Sequence, residues 1–269
     1  MGACLLLRYV RRLVVAGEDL SKVRADLLLV ARGLVESRAK ARAAIEAGGV
    51  TADGRPVLKA SELLDDTAEL VGQAAHPWVG RGALKLIQAL DLWPVVVADR
   101  IVLDVGASTG GFTEVCLARG ARRVYAVDVG RGQLHASLAV DPRVVVLEGT
   151  DARGLDESLV PEPPDLVVCD ASFIGLAKVL PAALALAAAD ADLIALVKPQ
   201  FEVGPGVVGK GGLVKDPAVR AEAVAGVVAF LEASGWTVLG QADSPIAGGD
   251  GNLEFLLHAR KRPPLSERP

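Results

Sequence analysis

The sequence predicts an α/β protein in two parts: a seven-stranded, mostly parallel sheet with helices on both faces, preceded by a small α+β domain. Three observations carry this. From residue 100 onward, short β-rich runs alternate with stretches of helical spacing, the pattern of a parallel sheet covered on both sides. Residues 23–60 follow another order, helix–helix–hairpin. Charge divides the same way: residues 1–59 hold 11 of the 29 Lys and Arg but 6 of the 33 Asp and Glu, a balance of +5 against −9 for the rest. A basic head on an acidic body argues for two domains with different partners.

Composition excludes several classes. With 269 residues, 51% hydrophobic and 23% charged, the chain is globular and has ample material for a core. Aromatic residues are only 4%, so Ala, Val and Leu must build that core. The longest apolar stretch, "VLPAALALAAADADLIALV", is broken by Asp190 and Asp192 and is not a membrane span. The apolar run in "MGACLLLRYVRR" is too short for a secretory signal. Cys4, Cys116 and Cys169 are scattered and odd in number. They form neither a CxxC pair nor a metal cluster, which fits a reducing cytoplasm and a protein without a bound metal.

In the head, "RADLLLVARGLV" has helical apolar spacing and ends near Gly33. Ser37 stands at an N-cap position before "RAKARAAIEAG", a second short helix closed by Gly48 and Gly49. Asp53-Gly54 in "GVTADGRPV" is a strong hairpin signal. Arg38, Lys40 and Arg42 are expected to project from the second helix, and Arg55 and Lys59 from the hairpin. Helix, helix and hairpin in this order resemble the S4 RNA-binding fold. The resemblance implies that these cations, with Arg24 before them and Arg81 after, meet RNA phosphates. The head is set at 23–72, after an extension over 1–22. "VGQAAHPWVG", residues 71–80, breaks both periodicities, and the linker is placed at 73–79.

The body is set at 80–260, with a tail over 261–269. Its strands are "RIVLDVG", "RVYAVDVG", "RVVVLEG", "DLVVCDAS" and "DLIALVKP". Between them "GGFTEVCLARG", "GQLHASLAV" and "GLAKVLPAALALAA" have helical spacing. A long helix, "DPAVRAEAVAGVVAFLEASG", then leads to the last strands, "WTVLGQ" and "LEFLLHAR". Ligands of such sheets bind at the carboxyl ends of the strands, which directs attention to Asp104, Asp128, Asp151, Asp170 and Lys198.

"LDVGASTGGFTE", residues 103–114, turns from a strand into a helix. Gly106, Gly110 and Gly111 are expected to bend the backbone beside a ligand, with the spacing GxxxGG and not the GxGxxG of dinucleotide binders. Asp128 ends the second strand, where an acid accepts bonds from ribose hydroxyls, and Asp151 follows the third, within reach of an adenine amino group. The set suits an adenosine ligand without a polyphosphate, S-adenosylmethionine first among them. "GPGVVGKG", residues 204–211, nearly matches a phosphate-binding P-loop but ends in Gly211 where Ser or Thr should ligate Mg²⁺. It is read as a flexible loop that closes over substrate. Lys198 ends an apolar strand, Lys85 lies on an apolar helix in "RGALKLIQAL", and Glu254 lies in the apolar strand "GNLEFLL". With Asp170 they make two bases and two acids that could converge.

At these residues the chain resembles the TlyA-type rRNA 2′-O-ribose methyltransferases, also called the haemolysin A family. The likeness runs from about residue 22 to 260 and is carried by "SRAKARAAIEAGGV", "RGALKL", "DVGASTGGFTEVCLARGA", "DVGRGQL", "DPRVVVLEGTDAR", "DASFIGL", "VKPQFEVG" and "GNLEF". It implies an S4 domain joined to a Rossmann-like, FtsJ/RrmJ-like sheet that uses S-adenosylmethionine. It also implies a Lys–Asp–Lys–Glu tetrad at Lys85, Asp170, Lys198 and Glu254. The cofactor loop falls on Asp104, Gly106, Ala107, Ser108, Gly110, Gly111 and Phe112, with Asp128, Asp151 and Asp170 beside it. The substrate it implies is cytidine of 16S rRNA, 23S rRNA or both, within ribosomal RNA or a subunit. No protein partner and no membrane are implied.

The chemistry needs no metal. A sulfonium methyl is already electrophilic, so the task is to place a ribose 2′-hydroxyl in line and take its proton. Lys198, held neutral beside the Lys85 ammonium, is the candidate base, with Asp170 orienting it and Glu254 fixing one lysine. Sequence leaves open which lysine is neutral. Two other readings stand: an RNA-binding assembly factor on an inert methylase fold, and a pore-forming haemolysin.

Overall fold

The computed structural model describes residues 22–46, 48–72, 76–204, 206–248 and 251–261. The N-terminal extension, Cys4 and nearly all of the expected tail lie outside the described residues. The chain forms two compact units that meet in sequence at Pro77 and Trp78. The expected linker is thus shortened: the Trp78 and Val79 side chains pack into the core of the second unit.

The head opens with strand β1 (Lys22–Arg24), helices α1 (Ala25–Ala31) and α2 (Arg38–Glu46), and strands β2 (Val50–Ala52), β3 (Arg55–Pro56), β4 (Leu63–Asp65) and β5 (Leu70–Gly72). Ser37 caps α2, its Oγ accepting from the Lys40 N–H at 3.3 Å. Asp53 and Gly54 both have positive φ, 49° and 73°, and turn β2 onto β3 as a tight hairpin requires. β5 completes this sheet on the other side of β2, and β1 pairs with β4. Leu28 and Leu29 of α1 pack with Ala41, Ala44 and Ile45 of α2 over Val50.

The head turns on a residue that the sequence did not single out. Asp26 is buried in the first turn of α1. It accepts from Arg24 at 2.9 and 3.1 Å and from Arg38 at 3.1 and 2.8 Å, tying the starts of both helices together. The expectation that Arg24 and Arg38 serve RNA is modified accordingly. Their guanidiniums compensate an internal carboxylate, and Lys40 pairs with Glu36 at 2.8 Å. Arg42, Arg55 and Lys59 are exposed.

The body begins with α3 (Ala83–Leu92), β6 (Ile101–Val105), α4 (Gly111–Ala118), β7 (Arg123–Asp128), α5 (Ala136–Ala139) and β8 (Val144–Glu148). It continues through β9 (Leu166–Cys169), α6 (Leu176–Val179), α7 (Pro181–Leu186), β10 (Asp192–Val197), α8 (Pro199–Glu202), α9 (Pro217–Ala233), β11 (Trp236–Asp243) and β12 (Phe255–Lys261). The sheet order is β11-β12-β10-β9-β6-β7-β8. β10, β9, β6, β7 and β8 are parallel, and β12 is antiparallel to both β10 and β11. Two sequence readings are corrected here. The helix expected over 132–140 shrinks to α5, and Pro181 splits the one over 175–188, because proline has no N–H to continue a ladder.

Strand residues face alternately to two cores, as a sheet covered on both sides requires. Leu103, Val105, Val167, Cys169, Ala195 and Val197 face α6, α7 and α9. Val102, Leu166, Val168, Ile194 and Leu196 face α3 and α4. Asp104 falls on the α3–α4 face, at a position that the alternation assigns to an apolar residue. Cys116 and Cys169 are buried free thiols. At the far end of the sheet, burial would raise the Asp192 carboxyl, but His258, Arg260 and Arg100 more than offset this and hold it well below the usual range.

Asp26 gives the head an acid limit. Its bonds from Arg24 and Arg38 outweigh its burial and hold its carboxyl at about 2, against an ordinary 3.8. A depressed carboxyl contributes stability above its unfolded value and loses it as pH falls through the folded one. Hydrogen-exchange protection at the Leu28 and Leu29 amides should fall as pH drops from about 4 to 2. The Asp26→Asn variant should have lower protection near neutral pH and a flatter acid dependence. An unchanged acid dependence in that variant would assign the transition to other carboxylates.

Candidate active site

The strand order reverses between β6 and β9, since the chain runs outward through β7 and β8 before returning to β9. The crevice beyond the carboxyl ends of β6 and β9 is where such sheets bind ligands. Gly106 leaves β6 with φ +83°, and a Cβ there would lie 2.8 Å from Ala171 Cα and 3.0 Å from its N. Gly110 precedes α4 with φ +96°, and its Cβ would meet Leu138 Cδ1 at 2.3 Å. A Cβ on Gly111 would lie 3.0 Å from Ala83 N and 3.3 Å from Gly80 O. The glycines therefore let segments of the chain pass one another. Phe112 is buried and packs in the α3–α4 core.

Ala107 is buried, whereas Ser108 is exposed with φ +49°. Asp128 holds the turn, accepting from Ser108 N at 2.8 Å and Gly130 N at 2.7 Å. Glu148, the acid that actually ends β8, accepts from the backbone N–H groups of Gly132, Gln133 and Leu134 at 2.7–2.9 Å. Asp151 lies beyond the strand and turns its carboxylate onto Arg153. Asp104 is fully buried; Thr113 Oγ1 donates to its Oδ2 at 2.6 Å. Burial pushes its carboxyl up to about 7, Thr113 pulls it down, and Asp170 and Asp128 push it further up.

The four expected tetrad residues converge. The β10–β12 register pairs Val197 with Phe255, and one step further Lys198 and Glu254 leave the two strands side by side. Glu254 precedes β12 and is not inside it, a small correction. Lys85 Nζ lies 2.5 Å from Glu254 Oε2 and 3.8 Å from Asp170 Oδ2. Lys198 Nζ lies 2.6 Å from Asp170 Oδ1. Both lysines and Glu254 are buried, and Asp170 is partly open. The result is a chain, Glu254–Lys85–Asp170–Lys198, in which one carboxylate serves two amines.

Two neighbours of Asp170 escaped the sequence reading. Ser172 accepts from Lys198 Nζ at 2.8 Å. Phe173 is 91% exposed, has φ +66°, and its ring lies 5.2 Å from that of Phe201. A bulky residue held at positive φ with its ring in solvent is a signal that only the backbone reveals. Leu176 N–H donates to Glu202 at 2.9 Å, clamping this loop onto α8. The glycine-rich loop read as a closing lid is tied down at one end: Asn252 accepts from Val214 N and donates to Gly212 O, both at 2.9 Å. Arg81 lies half-buried just before α3.

The FtsJ-like methyltransferase model matches residues 78–261, and the S4 domain model matches residues 23–70. The chain belongs to the FtsJ-like methyltransferase family. It is 51% identical over 241 residues to the 16S/23S rRNA (cytidine-2′-O)-methyltransferase TlyA of Mycobacterium tuberculosis, covering 89% of this chain and 90% of that protein. It is 35% identical to Hemolysin A of Brachyspira hyodysenteriae, over 88% of this chain and 99% of that one. A solved chain of Streptococcus thermophilus, provisionally described as a hemolysin, superposes with TM-score 0.72 at 39% identity, over 91% of this chain and 90% of that one. Among the described residues of this FtsJ-like methyltransferase, no helix is long and apolar enough to cross a membrane.

The crevice of this family member depends on the β6–β9 contact at Gly106. Gly106→Ala should lower the melting temperature well beyond Gly132→Ala. Both positions have positive φ, but a Cβ at Gly132 meets nothing within 4 Å. Positive φ alone costs of order 1 kcal/mol; the excess at Gly106 measures the collision with the Ala171 backbone. Equal losses in the two variants would remove that contact as a constraint.

Proposed function

We propose that the protein transfers a methyl group from S-adenosylmethionine to the ribose 2′-hydroxyl of a cytidine in ribosomal RNA. The observation that carries this is the Glu254–Lys85–Asp170–Lys198 chain at the carboxyl ends of the central strands. A cluster of two amines and two carboxylates suits taking a proton from a weakly acidic hydroxyl. The 51% identity to an rRNA cytidine-2′-O-methyltransferase and the S4 domain support ribosomal RNA as the substrate. Both 16S and 23S rRNA are named for that relative.

The residues present fit the cofactor. Asp104 Oδ1 is buried without a hydrogen-bond partner, an acceptor that a cationic ligand group would satisfy. Asp128, already bonded to two N–H groups, keeps lone pairs for ribose hydroxyls. Asp151 reaches the adenine only by leaving Arg153. The cofactor, when bound, supplies an electrophilic methyl on a sulfonium.

The side chains do the rest. Glu254 neutralises Lys85, and Lys85 supports Asp170 from the side away from Lys198. Asp170 aims Lys198, which accepts the hydroxyl proton. Phe173 offers its exposed face to an unstacked base, as aromatic rings do in single-stranded RNA recognition. Arg42, Arg55 and Lys59 of the head, with Arg81 of the body, bind RNA phosphates.

Lys198 decides the mechanism. Lys198→Ala should lower single-turnover methyl transfer to ribosomal RNA by about 10²–10⁴-fold, the usual share of a general base. Cofactor and RNA affinity should hardly move. Lys198→Arg should fail as well, because a guanidinium does not give up its proton near neutral pH. Near-normal transfer by the Arg variant would remove Lys198 as the base and leave positioning as the source of rate.

A further inference from the structure

An amine nitrogen has three directions besides its bond to Cε. For Lys198 Nζ two are taken by hydrogen bonds, to the Asp170 backbone carbonyl at 3.1 Å and to Ser172 Oγ at 2.8 Å, and Asp170 Oδ1 stands beside the nitrogen as an ion-pair contact at 2.6 Å. The lysine side chain is only 7% exposed. Ser172 is exposed. A substrate hydroxyl arriving from solvent therefore meets the serine before it meets the lysine.

The three partners also differ in kind. A carboxylate and a carbonyl only accept hydrogen bonds, whereas a hydroxyl both donates and accepts. A neutral lysine has two N–H donors and one lone pair. Of the two hydrogen-bonded partners, the Asp170 carbonyl can only accept, so it keeps an N–H; Ser172 Oγ, which accepts from the ammonium, is the one able to donate to the lone pair of the neutral amine. The next residue, Phe173, is held at φ +66°, the kind of backbone strain that persists where a site requires it.

We propose that the Ser172 hydroxyl is the relay through which the ribose 2′-hydroxyl gives its proton to Lys198. This rests on the ribose methylation described above. The 2′-oxygen forms its bond to the methyl carbon as the S–CH₃ bond breaks, the electron pair staying on sulfur. The 2′-hydroxyl proton passes to Ser172 Oγ, and the proton of Ser172 passes to the Lys198 lone pair. The products are the 2′-O-methyl ribose, the neutral thioether, an intact serine hydroxyl and a lysine ammonium. Water then removes that last proton, again by way of the exposed serine.

The test compares wild type, Ser172→Ala, Lys198→Ala and the double variant in single-turnover methylation of unmodified ribosomal RNA. Affinities for S-adenosylmethionine and RNA are measured alongside by calorimetry and filter binding. Ser172→Ala should lose about 10²-fold in rate, toward the lower end of general-base effects. The double variant should be no slower than Lys198→Ala, because residues acting as one unit do not lose independently. Both affinities should stay within about twofold of wild type. Ser172→Thr, which keeps the hydroxyl, should restore most of the rate. Ser172→Ala transferring methyl at the wild-type rate would overturn the relay. Losses that multiply in the double variant, or affinities that fall as far as the rate, would overturn it too. If wild type itself transfers no methyl group, the ribose methylation fails instead, and the two failures are told apart.

Discussion

One carboxylate shared by two buried lysines is the interaction on which the body is arranged. Asp170 stands 2.6 Å from Lys198 and 3.8 Å from Lys85. Breaking such a cluster by removing one partner leaves an uncompensated buried charge, at a cost of about 3–5 kcal/mol. Three elements must therefore arrive together: the end of β9, the end of β10, and α3 from outside the sheet. The β10–β12 register brings Glu254 to the same edge. Gly106 lets β6 leave the sheet against the Asp170–Ala171 backbone, with no Cβ between them.

Much of this was legible. Alternating runs announced the seven strands, and several charged residues that end or interrupt an apolar run lie at the ends of the sheet strands: Asp104, Asp170, Lys198 and Glu254 towards one end, Asp192 towards the other. Lys85 stood out as a cation on an apolar helix face. What was not legible depended on contacts distant in sequence. Asp26 looks like an ordinary first-turn acid until Arg38 folds onto it from the second helix. Gly111 looks like part of a ligand loop until Gly80 and Ala83 close against it. Phe112 follows the loop in sequence, but helical geometry turns it into the core. Ser172 and Phe173 are ordinary letters whose place is given by a hydrogen bond to one lysine and by a backbone angle.

Polar residues in both units are held by the chain's own groups first. Asp128 and Glu148 each brace a loop through backbone N–H groups, which pre-organises the crevice without consuming all of their lone pairs. Arg24 and Arg38 serve Asp26 before they serve a phosphate. Reading such residues as ligand contacts from sequence alone counts as unused a capacity that folding has partly spent. Asp104 departs from this, with one oxygen buried and still open to a donor.

The most direct measurement identifies the methylated atom. Unmodified ribosomal subunits are incubated with the purified protein and isotopically labelled S-adenosylmethionine, and the RNA is digested to nucleosides for mass spectrometry. Label is expected in 2′-O-methylcytidine, and none when Asp170→Asn protein that still binds cofactor is used. Label on a base, or undiminished 2′-O-methylation by the Asp170→Asn protein, would contradict it.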